Sequence, residues 1–210
     1  MPTFSNRKKV RGWKRRLRQL ERFRLAHRTL DVEALRQSHY HYVKVWLDPW
    51  SRLGGRNPPI WFRRRILAAL MDIHDAWRAA LEGLGEPYYL EVWLFHPDCY
   101  RSQVVAGLDW RMEHYRNVFP PAADAATRPL ALYDDPAYDL DHFAWRPGTD
   151  ENVYMACPGE LDADAKADFE RRASHVEQAA NGDALYFFEL GTVWQGALAD
   201  PSTPSPDPAP

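Results

Sequence analysis

Two histidines separated by one residue, His39 and His41 in SHYHYVKVWLDPW, hold the plainest ligand chemistry in the chain. On an extended strand alternate side chains share a face, so both imidazoles point one way, with the carboxylate of Asp48 just beyond. Two imidazoles and a carboxylate suit zinc or another borderline divalent ion. Val43, Val45 and Leu47 continue the same face, however, and a buried, hydrogen-bonded histidine pair explains the segment equally well. A second group, His96, Asp98 and Cys99 in HPDC, lies between two strand-like runs, where loops present functional side chains. His96 and Asp98 can complete the metal set, and Cys99 beside a histidine can act as a thiolate nucleophile. An ordinary turn accounts for the same residues, and no third catalytic partner is identifiable.

The most unusual pattern is positive charge. Residues 1–28 hold eleven Lys/Arg against a single acid, Glu21, a local charge of +10. The rest of the chain is left with 16 bases against 28 acids, or −12, although the formal net charge is only −2. Within RKKVRGWKRRLRQLERFRLAHR, the residues Val10, Trp13, Leu17, Leu20 and Phe23 fall at helical spacing. Arg11, Arg15, Arg18 and Arg22 recur on the opposite side, with Lys14 beside them. Cations one turn apart can neutralise successive phosphates and give steeply salt-dependent binding, with Arg63, Arg64 and Arg65 extending the patch and nearby tryptophans stacking on bases. The competing readings are an electrostatic clasp onto the protein's own acidic body, an acidic protein partner, or an anionic membrane surface. The apolar face is short for a membrane-surface helix.

These residues need elements to position them. His39 to Leu47 reads as a strand ended by Pro49. RNPPIWFRRRILAALMDIHDAWRAALEGLG opens on prolines, repeats apolar residues at Ile66, Leu70, Ile73, Trp77, Leu81 and Leu84, and closes on Gly85, the signature of a helix. YYLEVWLF and SQVVAG read as strands joined by a turn through HPDCYR. HFAWRP and NVYMAC read as a hairpin across GTDE. DADAKADFERRASHVEQAANG places Ala165, Phe169, Ala173, Val176 and Ala180 on one helical face, stopped by Gly182. ALYFFEL and TVWQGAL read as closing strands. The expected class is α+β: a single domain with a mainly antiparallel sheet and helices packed on one face, for which ferredoxin-like connectivity is one available order. Residues 1–29 form the docked basic helix, 30–198 the domain, and the Pro-rich 199–210 a disordered tail.

The composition of 45% apolar and 13% aromatic residues over 210 positions supports a sizeable core and excludes wholesale disorder. Cys99 and Cys157 stand far apart outside any CxxC pattern, which points to a reducing cytoplasm. No apolar run reaches the roughly 18 residues of a membrane span. Walker-type, dinucleotide-type and G-x-S-x-G signatures are absent, so no cofactor is expected. His27 in HRTL has the form of one half of the two-histidine phosphoesterase motif, but no second H-x-T or H-x-S follows.

The segments RKKVRGWKRR, HYHYVKVWLDP, SQVVAG and LYFFEL together resemble a family of functionally uncharacterised bacterial proteins, a domain of unknown function. The resemblance spans most of residues 7–190 and implies one shared α+β domain, without an activity or site residues to transfer. The leading expectation is therefore a non-catalytic cytoplasmic interaction module that uses Arg11, Lys14, Arg15, Arg18 and Arg22 to bind nucleic acid or an acidic protein. The competing one is a metal-dependent, hydrolase-like enzyme centred on His39, His41 and Asp48.

Overall fold

The computed structural model describes residues 12–37, 42–46, 58–108, 119 and 140–198. In chain order the elements are α1 (Trp13–His27), α2 (Val32–Gln37), β1 (Tyr42–Trp46), α3 (Ile60–Glu82), β2 (Tyr88–His96), β3 (Gln103–Leu108), β4 (Phe143–Ala156), α4 (Ala163–Arg172), β5 (His175–Gln178) and β6 (Ala184–Leu198). Short 3-10 turns occupy Cys99–Arg101 and Leu140–His142. Arg11, His39, His41, Asp48 and the Pro-rich tail lie outside the described residues.

Helix α3 begins where its prolines place it, with Pro59 as extended N-cap, and Gly83 caps its other end by donating its N–H to Ala79 O. Ile66, Leu70, Ile73, Trp77 and Leu81 form its buried stripe, each no more than 2% exposed. That stripe packs on Leu90, Val92 and Leu94 of β2 and Val104 and Ala106 of β3 in one core. Removing a fully buried Leu or Ile from water contributes about 1.5–3 kcal/mol, so this layer dominates the fold's stability. Helix α2 adds Leu35 to the same core, and α1 adds Leu20.

The sheet order is β1-β3-β2-β6-β4, with β5 paired to the start of β6, and every pairing is antiparallel. β1, α3 and β2 thus make a split β-α-β unit with β3 inserted between the strands. A ferredoxin-like order would set the last strand beside the first; here β6 borders β2. β2 and β3 lie at the centre with both faces covered, which is why YYLEVWLF and SQVVAG read as nearly unbroken apolar runs.

Three local expectations are corrected. HFAWRP and NVYMAC are not the arms of a hairpin but one 14-residue strand, β4, paired along its length with β6. Pro147 is tolerated because β4 is an outer strand, where a missing N–H breaks no second ladder. ALYFFEL and TVWQGAL likewise form one strand, broken only by an irregularity facing Asp150/Glu151. Gly191 sits there at φ 150, where a Cβ would collide with the carbonyl of His96. The predicted 162–182 helix stops at Arg172. Its start is secure, since Asp162 accepts from Ala165 N at 2.8 Å, but Ser174 N donates to Phe187 O and the chain continues as β5. The long partner β6 supplies backbone hydrogen bonds that outweigh a weak Ala-based periodicity. Helix α4 also departs from the single-face layer of α1–α3: its Phe169 packs on Tyr154, Tyr186 and Phe188 at the far end of the β4–β6 pair.

Candidate functional site

Helix α1 starts after Gly12 and divides into two faces. Leu20 is buried, and Leu17 and Phe23 pack partly buried against the core. Lys14, Arg15, Arg18 and Arg22 are exposed. At 100° per residue Arg15, Arg18 and Arg22 fall within an arc of about 60°, and they span about 10 Å of helix axis, roughly three nucleotide rises of 3.4 Å.

The helix is fastened by other residues. Arg24 donates to Asp72 of α3 at 2.6 Å and to both oxygens of Glu21. Arg28 approaches Asp72 at 3.2 Å, and the indole N–H of Trp77 donates to His27 O at 2.8 Å. The hydrogen bonds from Arg24 hold Glu21 below the usual carboxylate range and raise the affinity of Arg24 for its proton. Ion pairs between α1 and α3 thus run from Arg24 and Arg28 to Asp72. Among the described residues Lys14, Arg15, Arg18 and Arg22 contact no carboxylate; Arg18 donates only to Lys14 O at 3.4 Å.

These contacts also fix how α1 lies. Trp13 meets Trp61, Arg24 meets Asp72 and His27 meets Trp77, so the two helices run parallel. Between them lies a cleft of ≈ 520 Å³, with Leu17 and Ala68 among its apolar walls and Arg18 and Arg65 as its cations. Arg65 is exposed. The Glu21–Arg24–Asp72 network closes one end. About one turn beyond the other end, Trp13 and Trp61 meet edge to face at 6.5 Å, 48% and 36% exposed. Trp61 rests on Phe62 at 5.5 Å and Phe62 on Tyr100 at 6.3 Å, which ties the exposed pair to the core. The ammonium of Lys14 lies 5.8 Å from the Trp13 ring centre.

The histidine-centred alternative gains less. His39, His41 and Asp48 fall outside the described residues, and no group of three or more His, Cys, Asp or Glu among the described residues is placed to hold a metal. His96 ends β2 with its ring toward Trp194, and burial together with Arg63 lowers its proton affinity. Cys99 is buried, which pushes its thiol far above the usual range and leaves no thiolate at neutral pH. HPDC is a turn that enters the 3-10 segment, with Cys99 serving the core.

A buried polar network on the other sheet face escaped the sequence reading. Strand register aligns Gln103, Trp93, Gln195 and Arg146 in one row across β3, β2, β6 and β4. Glu91, one pleat away on β2, accepts from the Trp93 indole at 2.7 Å and from Arg146 at 3.1 Å. Nearby, Arg101 pairs with Asp150 and lies over the Phe95 ring at 4.9 Å. Burial raises Asp150 to about 6 against the pull of Arg101. The available signal was a carboxylate or amide side chain within each largely apolar run: Glu91 in YYLEVWLF, Gln103 in SQVVAG and Gln195 in TVWQGAL. The second face also holds Tyr89, Val105 and Val193, with Phe119 packed on Trp93 and Phe95 at 5.4 and 5.8 Å.

No family model, no curated protein and no solved structure matches the chain. No described helix is long and apolar enough to cross a membrane.

Proposed function

We propose that the protein is a non-catalytic interaction module that binds nucleic acid through the basic face of α1. The observation that carries this reading is the orientation of Arg15, Arg18 and Arg22: they face solvent without carboxylate partners among the described residues, while Arg24 and Arg28 fasten the helix from behind. Nucleic acid is favoured over an acidic protein because the three arginines repeat over a few phosphate spacings beside exposed indoles. The −12 carried outside residues 1–28 repels a polyanion elsewhere on the molecule and so favours docking on this helix. Two free cysteines fit a cytoplasmic setting.

Fluorescence anisotropy with labelled DNA and RNA at several salt concentrations tests this. Engagement of Lys14, Arg15, Arg18 and Arg22 predicts that log K falls against log salt with a slope of about −3 to −4 on duplex. The triple variant Arg15→Glu, Arg18→Glu, Arg22→Glu should abolish binding while the fold persists by circular dichroism. Salt-insensitive binding, or charge reversal without effect, overturns the reading in favour of a different surface.

A further inference from the structure

The α1–α3 cleft refines the partner, and the refinement rests on the nucleic-acid reading above. A basic stripe alone is indifferent to strandedness, because phosphates line single strands and duplexes alike. What distinguishes this surface is the sequence of chemistries along the cleft. Exposed Trp13 and Trp61 stand near one end, Arg18 and Arg65 flank the middle, and the ion-paired Glu21, Arg24 and Asp72 shut the other end. At ≈ 520 Å³ the cleft has room for a nucleotide unit and little more. A duplex keeps its bases stacked inside and presents only phosphates, so it gains nothing from two indoles. An unpaired base has a free π-face, and stacking on an aromatic side chain is tolerant of which base it is.

We infer that the cleft between α1 and α3 makes this a single-strand-preferring protein: one unpaired base packs against Trp13 and Trp61 while Arg18 and Arg65 hold the adjoining phosphate. The anchoring of Trp61 through Phe62 to Tyr100 presents that platform in a fixed position, so little ordering is lost on binding. Arg15 and Arg22, on the same exposed side of α1 but outside the cleft lining, track the strand's further phosphates without regard to base pairing.

The test compares a labelled oligo-dT 20-mer with a 20-base-pair duplex on the full chain. Trp13→Ala and Trp61→Ala should each weaken single-strand binding by about 5- to 100-fold, leave duplex binding within about twofold, and leave the salt slope unchanged. Trp13→Phe should restore most of the single-strand affinity, which also separates stacking from any loss of folding. Arg18→Glu with Arg65→Glu should weaken both forms. If the tryptophan variants leave the ratio of single-strand to duplex affinity unchanged while charge reversal on α1 still abolishes binding, this inference fails and the proposed function stands. If the wild-type chain binds neither form in a salt-dependent way, both fall.

Discussion

Arg24 of α1 and Asp72 of α3 meet at 2.6 Å across 48 residues of chain, and this pair decides which arginines of the basic segment remain open. The stripe and this ion pair occupy different sides of one helix, so Asp72 helps to seat α1 without neutralising Arg15, Arg18 or Arg22. Asp72 nevertheless subtracts from the positive field at the cleft. Asp72→Asn should therefore have two opposed effects. A partly exposed ion pair contributes roughly 0–1 kcal/mol, so the thermal midpoint should fall by no more than a few degrees. Release of Arg24 and Arg28 should strengthen nucleic-acid binding and steepen its salt slope. Parallel calorimetry and anisotropy check both signs, and a loss of affinity would mean that the carboxylate positions a binding residue.

How much of this was legible in the sequence depended on the range of the interaction. The two faces of α1 and the stripe of α3 are written within one or two helical turns, and Leu20 and Ile66 went where their spacing sent them. The parallel seating of α1 on α3 was not legible, because it joins residues 48 to 50 positions apart through Trp61, Asp72 and Trp77. GTDE has the composition of a turn, yet Gly148 and Asp150 sit in β4 because β6 is long enough to pair past them. Gln103 and Gln195 belong to strands far apart in the chain; pairing through β2 makes them neighbours of Trp93 in the interior.

The indole of Trp145 lies over Gly196, its cross-strand partner, and donates to Leu140 O at 2.9 Å while stacking on Phe143. A methyl group on residue 196 would overlap the ring and force it off this hydrogen bond. Gly196→Ala should cost about 1–3 kcal/mol, measured by denaturant unfolding. The same substitution at Gly83, at an ordinary φ of -66 where a Cβ meets only Ala80 O at 3.4 Å and Ala79 O at 3.5 Å, separates overlap from the general effect of adding a side chain.

The two thiols should separate cleanly by reactivity. Cys99 is 2% exposed in the core and its thiol is pushed far up by burial, whereas Cys157 is exposed. A thiol reagent at neutral pH should titrate one cysteine in the native protein and two in denaturant. Asp183 heads the influences that raise Cys157 above its usual value, so even that thiol should react more slowly than a free cysteine, and Asp183→Asn should speed it. Two fast equivalents in the native protein would contradict the placement of Cys99.

Asp150 gives the clearest pH dependence. Its side chain is 4% exposed, one oxygen has no hydrogen-bond partner among the described residues, and burial raises it from the unfolded value of 3.8 to about 6 despite the contact with Arg101. Between pH 4 and 6 the folded state thus holds a proton that the unfolded state has released. With more protons bound when folded, stability must fall as pH rises through that window. Two pKa units correspond to about 2–3 kcal/mol. Asp150→Asn removes the titration, so the difference in unfolding free energy between wild type and variant should shift by about that amount toward the variant from pH 4 to pH 6 and stay flat above pH 7. Arg101, partly exposed, can turn to water in the variant. A difference that runs the other way, with wild type gaining stability as pH rises, would mean that attraction to Arg101 outweighs burial and that Asp150 is ionised throughout.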